Sequence, residues 1–150
     1  MDLHIRQAEF DREGDVLLAV QRAGYAVEAR LIGVPALPAQ DETIDDLRGE
    51  TIWVAEAEGA VVALLGLQDV GDLVIARLVV APERMRRGIG RALACHAIAL
   101  AGERAIRVGT ASANRPALAL YESLGFRRVA QRTVGDGLAY VELLRPARCR

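Results

Sequence analysis

Three strand-like runs follow one another with almost nothing between them. They are TIWVAEAE (51–58), AVVALLGLQDV (60–70) and DLVIARLVVA (72–81), broken only at Glu58-Gly59 and Gly71-Asp72. Each is rich in β-branched and aliphatic residues and is bounded by turn formers. A parallel pairing needs a crossover of a dozen or more residues, and these breaks are far shorter, so the three runs form an antiparallel meander. Whatever else the chain does, its other elements have to cover the two faces of that meander.

The flanking sequence supplies the cover. DLHIRQA (2–8), with Leu3 and Ile5 alternating, reads as a first strand. From about Arg12 to Ile32 the period turns helical, with Val16, Leu17, Val20, Val27 and Leu31 as the apolar stripe and Gly33 as the stop. VPALPAQDET (34–43) is a loop punctuated by Pro35 and Pro38. Thr43 can cap a short helix to Arg48, with Asp45 and Asp46 in its first turn. Beyond the meander, a helix is expected over Gly88–Ala101, a strand over Ala105–Ala111 and a helix over Asn114–Leu124, stopped at Gly125. Phe126–Val134 and Leu138–Leu144 close the chain as a hairpin around GDG. The order β-α-α-β-β-β-α-β-α-β-β predicts an α/β (α+β) fold. A central mixed, mostly antiparallel sheet is flanked by about four helices, within one domain over residues 1–150.

Composition narrows the function classes. Over half the residues (52%) are apolar, which excludes a disordered chain, and the net charge of −1 argues against a general nucleic-acid binder. Every one of the 19 basic residues is arginine, so arginine abundance carries no information and only arginine position does. Cys95 and Cys149 are far apart and fit neither a metal site nor a disulfide framework, as expected for a reducing compartment. Asp2, Arg6 and Glu9 interrupt any signal peptide, and the most apolar stretch, Gly88–Ala101, contains Arg91 and His96 and is too short to span a bilayer. A soluble, cytoplasmic protein without membrane, metal or nucleic-acid partners is the expectation.

ERMRRGIGRAL (83–93) sits between a strand end and a helix start. Helix N-termini present unpaired N–H groups and a partial positive charge. Glycine at 88 and 90 lets an anion reach that backbone, and the arginines at 84, 86, 87 and 91 can add charge-assisted hydrogen bonds. The alternative is an ordinary helix start with a surface arginine cluster. The dinucleotide fingerprint is absent, lacking both its third glycine and the acidic residue about 20 positions on. The Lys-Ser/Thr phosphate loop is absent too.

LVVAPERMRRGIGRAL (78–93) resembles the acetyl-CoA motif of the GNAT-type N-acetyltransferases, in which V-x-P leads into R/Q-x-x-G-x-G/A at a helix start. NRPALALYESLGF (114–126) is similar to that family's N-x-x-A-x-x-L-Y-x-x-x-G-F segment, and the element order fits from first strand to last. One departure is Met85, which takes the first Arg/Gln position of the motif. The resemblance implies acetyl transfer from acetyl-CoA to a small-molecule or peptide amine, and it leaves a homodimer open. It also implies that the backbone of Leu78, Val79 and Val80 pairs with the pantetheine arm. The N–H groups of Met85, Arg86, Arg87, Gly88, Ile89 and Gly90 would take the pyrophosphate, with Arg86, Arg87 and Arg91 near the phosphates. Asn114 would serve as helix cap and cofactor contact, and Tyr121 as general acid to the departing thiolate.

No residue presents itself as an acyl-carrying nucleophile, which favours direct attack in a ternary complex. The general base is open. Glu56, Asp69 and Asp72 lie in the meander without compelling positions, and His96 lies mid-helix. The acceptor site is expected between the first helix, the 34–43 loop and the last hairpin. There Asp41, Glu42, Asp45, Asp46, Tyr25 and Glu28 are weak candidates. Met85 and the missing base motivate the competing reading, a CoA- or acyl-CoA-binding module without turnover.

Overall fold

The computed structural model describes residues 2–135 and 137–148; Cys149 and the central residue of the GDG turn lie outside the described residues. The elements are β1 (Leu3–Gln7), α1 (Phe10–Ile32), a 3-10 turn (Pro38–Asp41), α2 (Ile44–Arg48), β2 (Thr51–Ala57), β3 (Ala60–Val70) and β4 (Asp72–Val80). A second 3-10 turn (Pro82–Arg84), α3 (Ile89–Ala101), β5 (Ile106–Ala111), α4 (Arg115–Ser123), β6 (Arg127–Val134) and β7 (Leu138–Arg145) follow. The seven strands form one sheet in the order β1-β2-β3-β4-β5-β7-β6. The meander occupies β2–β4, and only β4 and β5 pair in parallel, joined by the α3 crossover. This is the mixed α/β sheet that the order of elements predicts.

Apolar residues on both faces of the strands divide the core in two. On one face Ala55, Leu65, Ile75, Val108 and Leu143 pack under α3 and α4, where Leu93, Ala97, Leu118 and Tyr121 are buried. On the other face Ile52, Val54, Leu64 and Val79 pack under α1 and α2 through Leu17 and Leu47.

The buried face of α1 is not the stripe that its aliphatic residues suggest. Val16 and Leu31 are 45% and 52% exposed, whereas Glu13, Leu17, Gln21, Gly24 and Ala29 are buried. Polar partners explain the change. Glu13 accepts from Arg6, and Gln21 bonds the loop and Arg77, so each is satisfied inside without an apolar side chain. At Gly24 the helix meets β4 so closely that a Cβ would lie 2.2 Å from Val79 Cγ2 and 2.9 Å from the Val80 carbonyl oxygen. That contact seats the following turn of α1 over the end of β4.

Candidate functional site

A β-bulge makes the site. Leu67 pairs with Ile75 and Gly66 with Arg77, so Ala76 is an extra residue on β4. Strict alternation would keep Leu73, Ile75, Arg77 and Val79 on one face; the inserted residue sends Arg77 and Val79 to the α1 side instead. The ladder to β5 stops at the same place. It comprises Leu73–Ile106, Val74–Arg107 and Ile75–Val108, after which β4 keeps only β3 as a neighbour. The backbone of Ala76–Val80 therefore has a free edge on the side where β5 diverges.

Between the diverging strands lies a cavity of about 410 Å³. Its lips are Ile75–Leu78 on β4 and Val108–Thr110 on β5. Tyr25 and Glu28 close it from α1, Leu37, Pro38, Ala39 and Glu42 from the loop after α1, Asn114, Ala117 and Tyr121 from α4, and Tyr140 from β7. All three tyrosines of the chain line this one space.

Asn114 is the N-cap of α4: its Oδ1 accepts from Ala117 N–H at 3.2 Å. Its Nδ2 simultaneously donates to Glu28 Oε1 at 2.8 Å, tying α4 to α1 across the cavity. Burial raises the Glu28 carboxyl above its ordinary range, and the Asn114 hydrogen bond offsets this only in part. Burial likewise raises the phenol of Tyr121, with the Glu28 charge adding to it, so this hydroxyl keeps its proton throughout the neutral range. The Tyr121 ring is held edge-on against Phe126, with centroids 5.3 Å apart. Tyr25 and Tyr140 are raised by burial in the same way.

Arg77 lies on the cavity wall with its side chain 5% exposed. Its Nε and Nη2 donate to the two oxygens of Glu50 at 2.7 and 2.6 Å. Nη1 and Nη2 donate to Glu42 at 2.9 and 3.1 Å, and Nη1 also donates to Gln21 Oε1 at 2.7 Å. Burial opposes the charge, but the two carboxylates more than offset it and the guanidinium stays protonated. Gln21 Nε2 donates to the Ala39 carbonyl and to Glu42, so this cluster clamps the loop onto β4 as a wall of the cavity. A Cβ at Gly66 would fall 2.1 Å from Glu50 Oε1 and 2.7 Å from Arg77 Cγ, so the glycine makes room for the pair. A charged residue inside DLVIARLVV was the available sequence signal for Arg77.

β4 leads from the cavity into the glycine-rich turn. Helix α3 starts with Ala92 N–H donating to the Gly88 carbonyl at 3.0 Å, which leaves the amides at its N-terminus ahead of the first helical bond. Arg86 and Gly88 both have positive φ, 63° and 82°, so the chain bends sharply at both residues just ahead of α3. A Cβ on Gly88 would meet nothing within 4 Å, so the turn is open to solvent. One expected contribution changes here. The Met85 N–H is already given to the Pro82 carbonyl at 3.3 Å, because residues 82–84 form a 3-10 turn; the free amides begin at Arg86. The side chains of Ile89 and Val79 are buried in the two cores, so only their backbones can face a ligand. Arg86 and Arg87 are exposed, and Arg91 Nη1 donates to Ser123 Oγ on α4 at 2.9 Å.

The other acids considered lie elsewhere. Glu56 pairs with Arg6, Asp69 with Arg104 and Asp72 with Arg107. Asp46 caps Thr43 N–H, and Asp45 is near Arg48. His96 packs edge-on against Trp53, with ring centroids 4.3 Å apart, and burial lowers its pKa. Glu42, paired with Arg77, lines the cavity, and so do Tyr25 and Glu28 on α1, all three of them weak candidates by sequence. The spacing of three between Tyr25 and Glu28 on one helix face, just after the glycine that contacts β4, was the only signal for those two. Among the described residues no group of His, Cys, Asp and Glu could hold a metal ion, and no helix is long and apolar enough to cross a membrane.

A sheet that opens beside a bulge and runs into a glycine-rich helix start is the architecture that this chain shares with acetyltransferases. The chain belongs to the GNAT acetyltransferase family: the acetyltransferase (GNAT) domain profile matches residues 48–128. Among curated proteins it is similar to the UPF0157 protein YqkA of Bacillus subtilis, 33% identical over 140 residues, covering 91% of this chain and 40% of that protein. The chain spans about two fifths of the length of the curated relatives it matches. Its fold is similar to that of the ribosomal-protein-S18-alanine N-acetyltransferase of Escherichia coli (TM-score 0.79, 20% identity, 99% of this chain and 96% of that one). It is also similar to yncA of Salmonella typhimurium, solved with its cofactor acetyl-CoA (TM-score 0.72, 19% identity, 96% and 93%).

Proposed function

We propose that residues 1–150 form one domain that transfers an acetyl group from acetyl-CoA to a primary amine by direct attack in a ternary complex. The observation that carries this reading is the opening between β4 and β5, lined by Tyr121 and continuous along β4 with the turn at Arg86–Gly90. The residues present fit a CoA thioester: an unpaired strand edge at Ala76–Val80 for an amide-bearing arm, and an open helix start with exposed Arg86 and Arg87 for a pyrophosphate. Bound there, the thioester supplies the activated acetyl group. The chain's own part is to align the two substrates, donate a backbone N–H to the acetyl oxygen and return a proton from Tyr121 to the departing sulfur. The similarity to a structure holding acetyl-CoA supports the same choice of donor.

The competing reading of a binding module without turnover rested on Met85 and on a missing base. The free amides begin after Met85, and a carboxylate, Glu28, lines the cavity.

Thermal unfolding with and without acetyl-CoA tests the reading, followed by thiol release across a panel of amines. Acetyl-CoA is expected to raise the melting temperature, and Gly88→Glu is expected to remove that shift by placing a carboxylate at the anion turn. No shift of the native chain at saturating acetyl-CoA would overturn the proposal, and binding without thiol release on any amine would favour the module.

A further inference from the structure

Resting on that reading, we infer that Glu28 receives and deprotonates the acceptor, and that the acceptor is a primary amine with no carboxylate beside its amino group. Charge accounting around the cavity leads there. Arg77 is its only cationic lining residue among the described residues, and its Nε, Nη1 and Nη2 are all engaged by Glu50, Glu42 and Gln21. A carboxylate on the acceptor would thus find no free cation and would face Glu28 instead. Glu42 and Glu50 share the single positive charge of Arg77, which leaves that cluster one negative charge in excess and no more hospitable to an acceptor carboxylate. Glu28 alone among the lining carboxylates is paired with a neutral group, the Asn114 amide, and its second oxygen accepts no hydrogen bond among the described residues. An incoming ammonium meets that oxygen as its charge partner.

The surroundings suit proton transfer. The groups facing Glu28 are Tyr25 on its own helix, Tyr121 on α4 and Tyr140 on β7, with Glu42 and Arg77 on the far wall. The phenols stay protonated at neutral pH, and Glu28 is the cavity carboxyl whose proton affinity burial raises. Its burial moves the carboxyl upward, toward the range where it accepts a proton most effectively. The ammonium gives one proton to Glu28, and the freed nitrogen bonds to the acetyl carbonyl carbon. As the C–S bond breaks, the sulfur takes the Tyr121 proton and the second proton leaving the nitrogen restores Tyr121. The products are the amide and the free thiol, and Glu28 returns one proton to solvent.

The test uses the full chain and matched acceptors: alanine against alaninamide, and phenylalanine against phenylalaninamide and phenethylamine. The member without the carboxylate is expected to have at least a tenfold higher kcat/KM in each pair that is turned over. Glu28→Gln keeps an oxygen for Asn114 but removes the base. It is expected to lower kcat/KM at least 100-fold and to abolish the acidic limb of the pH–rate profile, while the acetyl-CoA melting shift stays intact. No preference within any pair, or Glu28→Gln activity within threefold of the native chain, would overturn the inference while leaving the acetyl-CoA reading standing. Absence of the acetyl-CoA shift in the native chain would instead remove both.

Discussion

Single residues acquire their roles here from what surrounds them, and Tyr121 shows this most directly. A tyrosine near the end of a helix is ordinarily a packing residue with its hydroxyl in water. In this fold it reaches the opening between β4 and β5, where burial holds its proton. Tyr121→Phe retains the ring contact with Phe126, so the acetyl-CoA melting shift should be unchanged while kcat falls on the order of 100-fold or more. Steady-state thiol release checks it; a kcat within threefold of native would assign the ring a packing role only. Arg77 makes the complementary point. Its position inside an apolar strand was legible, but its partners Glu42, Glu50 and Gln21 come from three separate stretches of chain, and no local pattern joins them.

Elements were read more securely than their faces. Strand and helix boundaries follow from turn residues and periodicity, which act within a few positions, and the meander, the crossover helix and the closing hairpin all stand where those signals put them. The face that α1 buries does not follow, because Glu13 and Gln21 find partners on β1, β4 and the loop after α1. The bulge at Ala76 is equally silent in the sequence, since DLVIARLVV alternates acceptably either way. One glycine links these effects. Gly24→Ala adds a Cβ against the β4 backbone, and overpacking of this kind costs about 1–3 kcal/mol. Chemical denaturation should show that loss. Thiol release should fall by more than the unfolded fraction explains, because Tyr25 and Glu28 ride on the displaced turn; an unchanged denaturation midpoint would show that α1 yields freely.

Across the whole molecule, the charges placed by folding pull stability in opposite directions with pH. Hydrogen bonding from Arg6 holds Glu13 below the usual carboxylate range, so its contribution is present above the unfolded-state pKa of about 4.3 and is lost as pH falls through the lower folded value. Glu28 is raised, so its contribution is complete below that unfolded value and is lost as pH rises through the folded one. Melting temperatures measured from pH 3 to 7 should therefore decline more steeply toward acid in the native chain than in Glu13→Gln; parallel curves would show that Arg6 contributes nothing through Glu13. The sequence alone determined the order of elements, the antiparallel meander, the glycine-rich helix start and the family resemblance, because each rests on residues within one short stretch. Only the tertiary structure decided that Glu28, Asn114 and Tyr121 face one cavity, that Arg77 is engaged by carboxylates, and that β4 and β5 part at Ala76. Those outcomes depend on contacts between residues as many as 86 positions apart, as between Glu28 and Asn114, and on a one-residue register change that sequence patterning leaves unmarked.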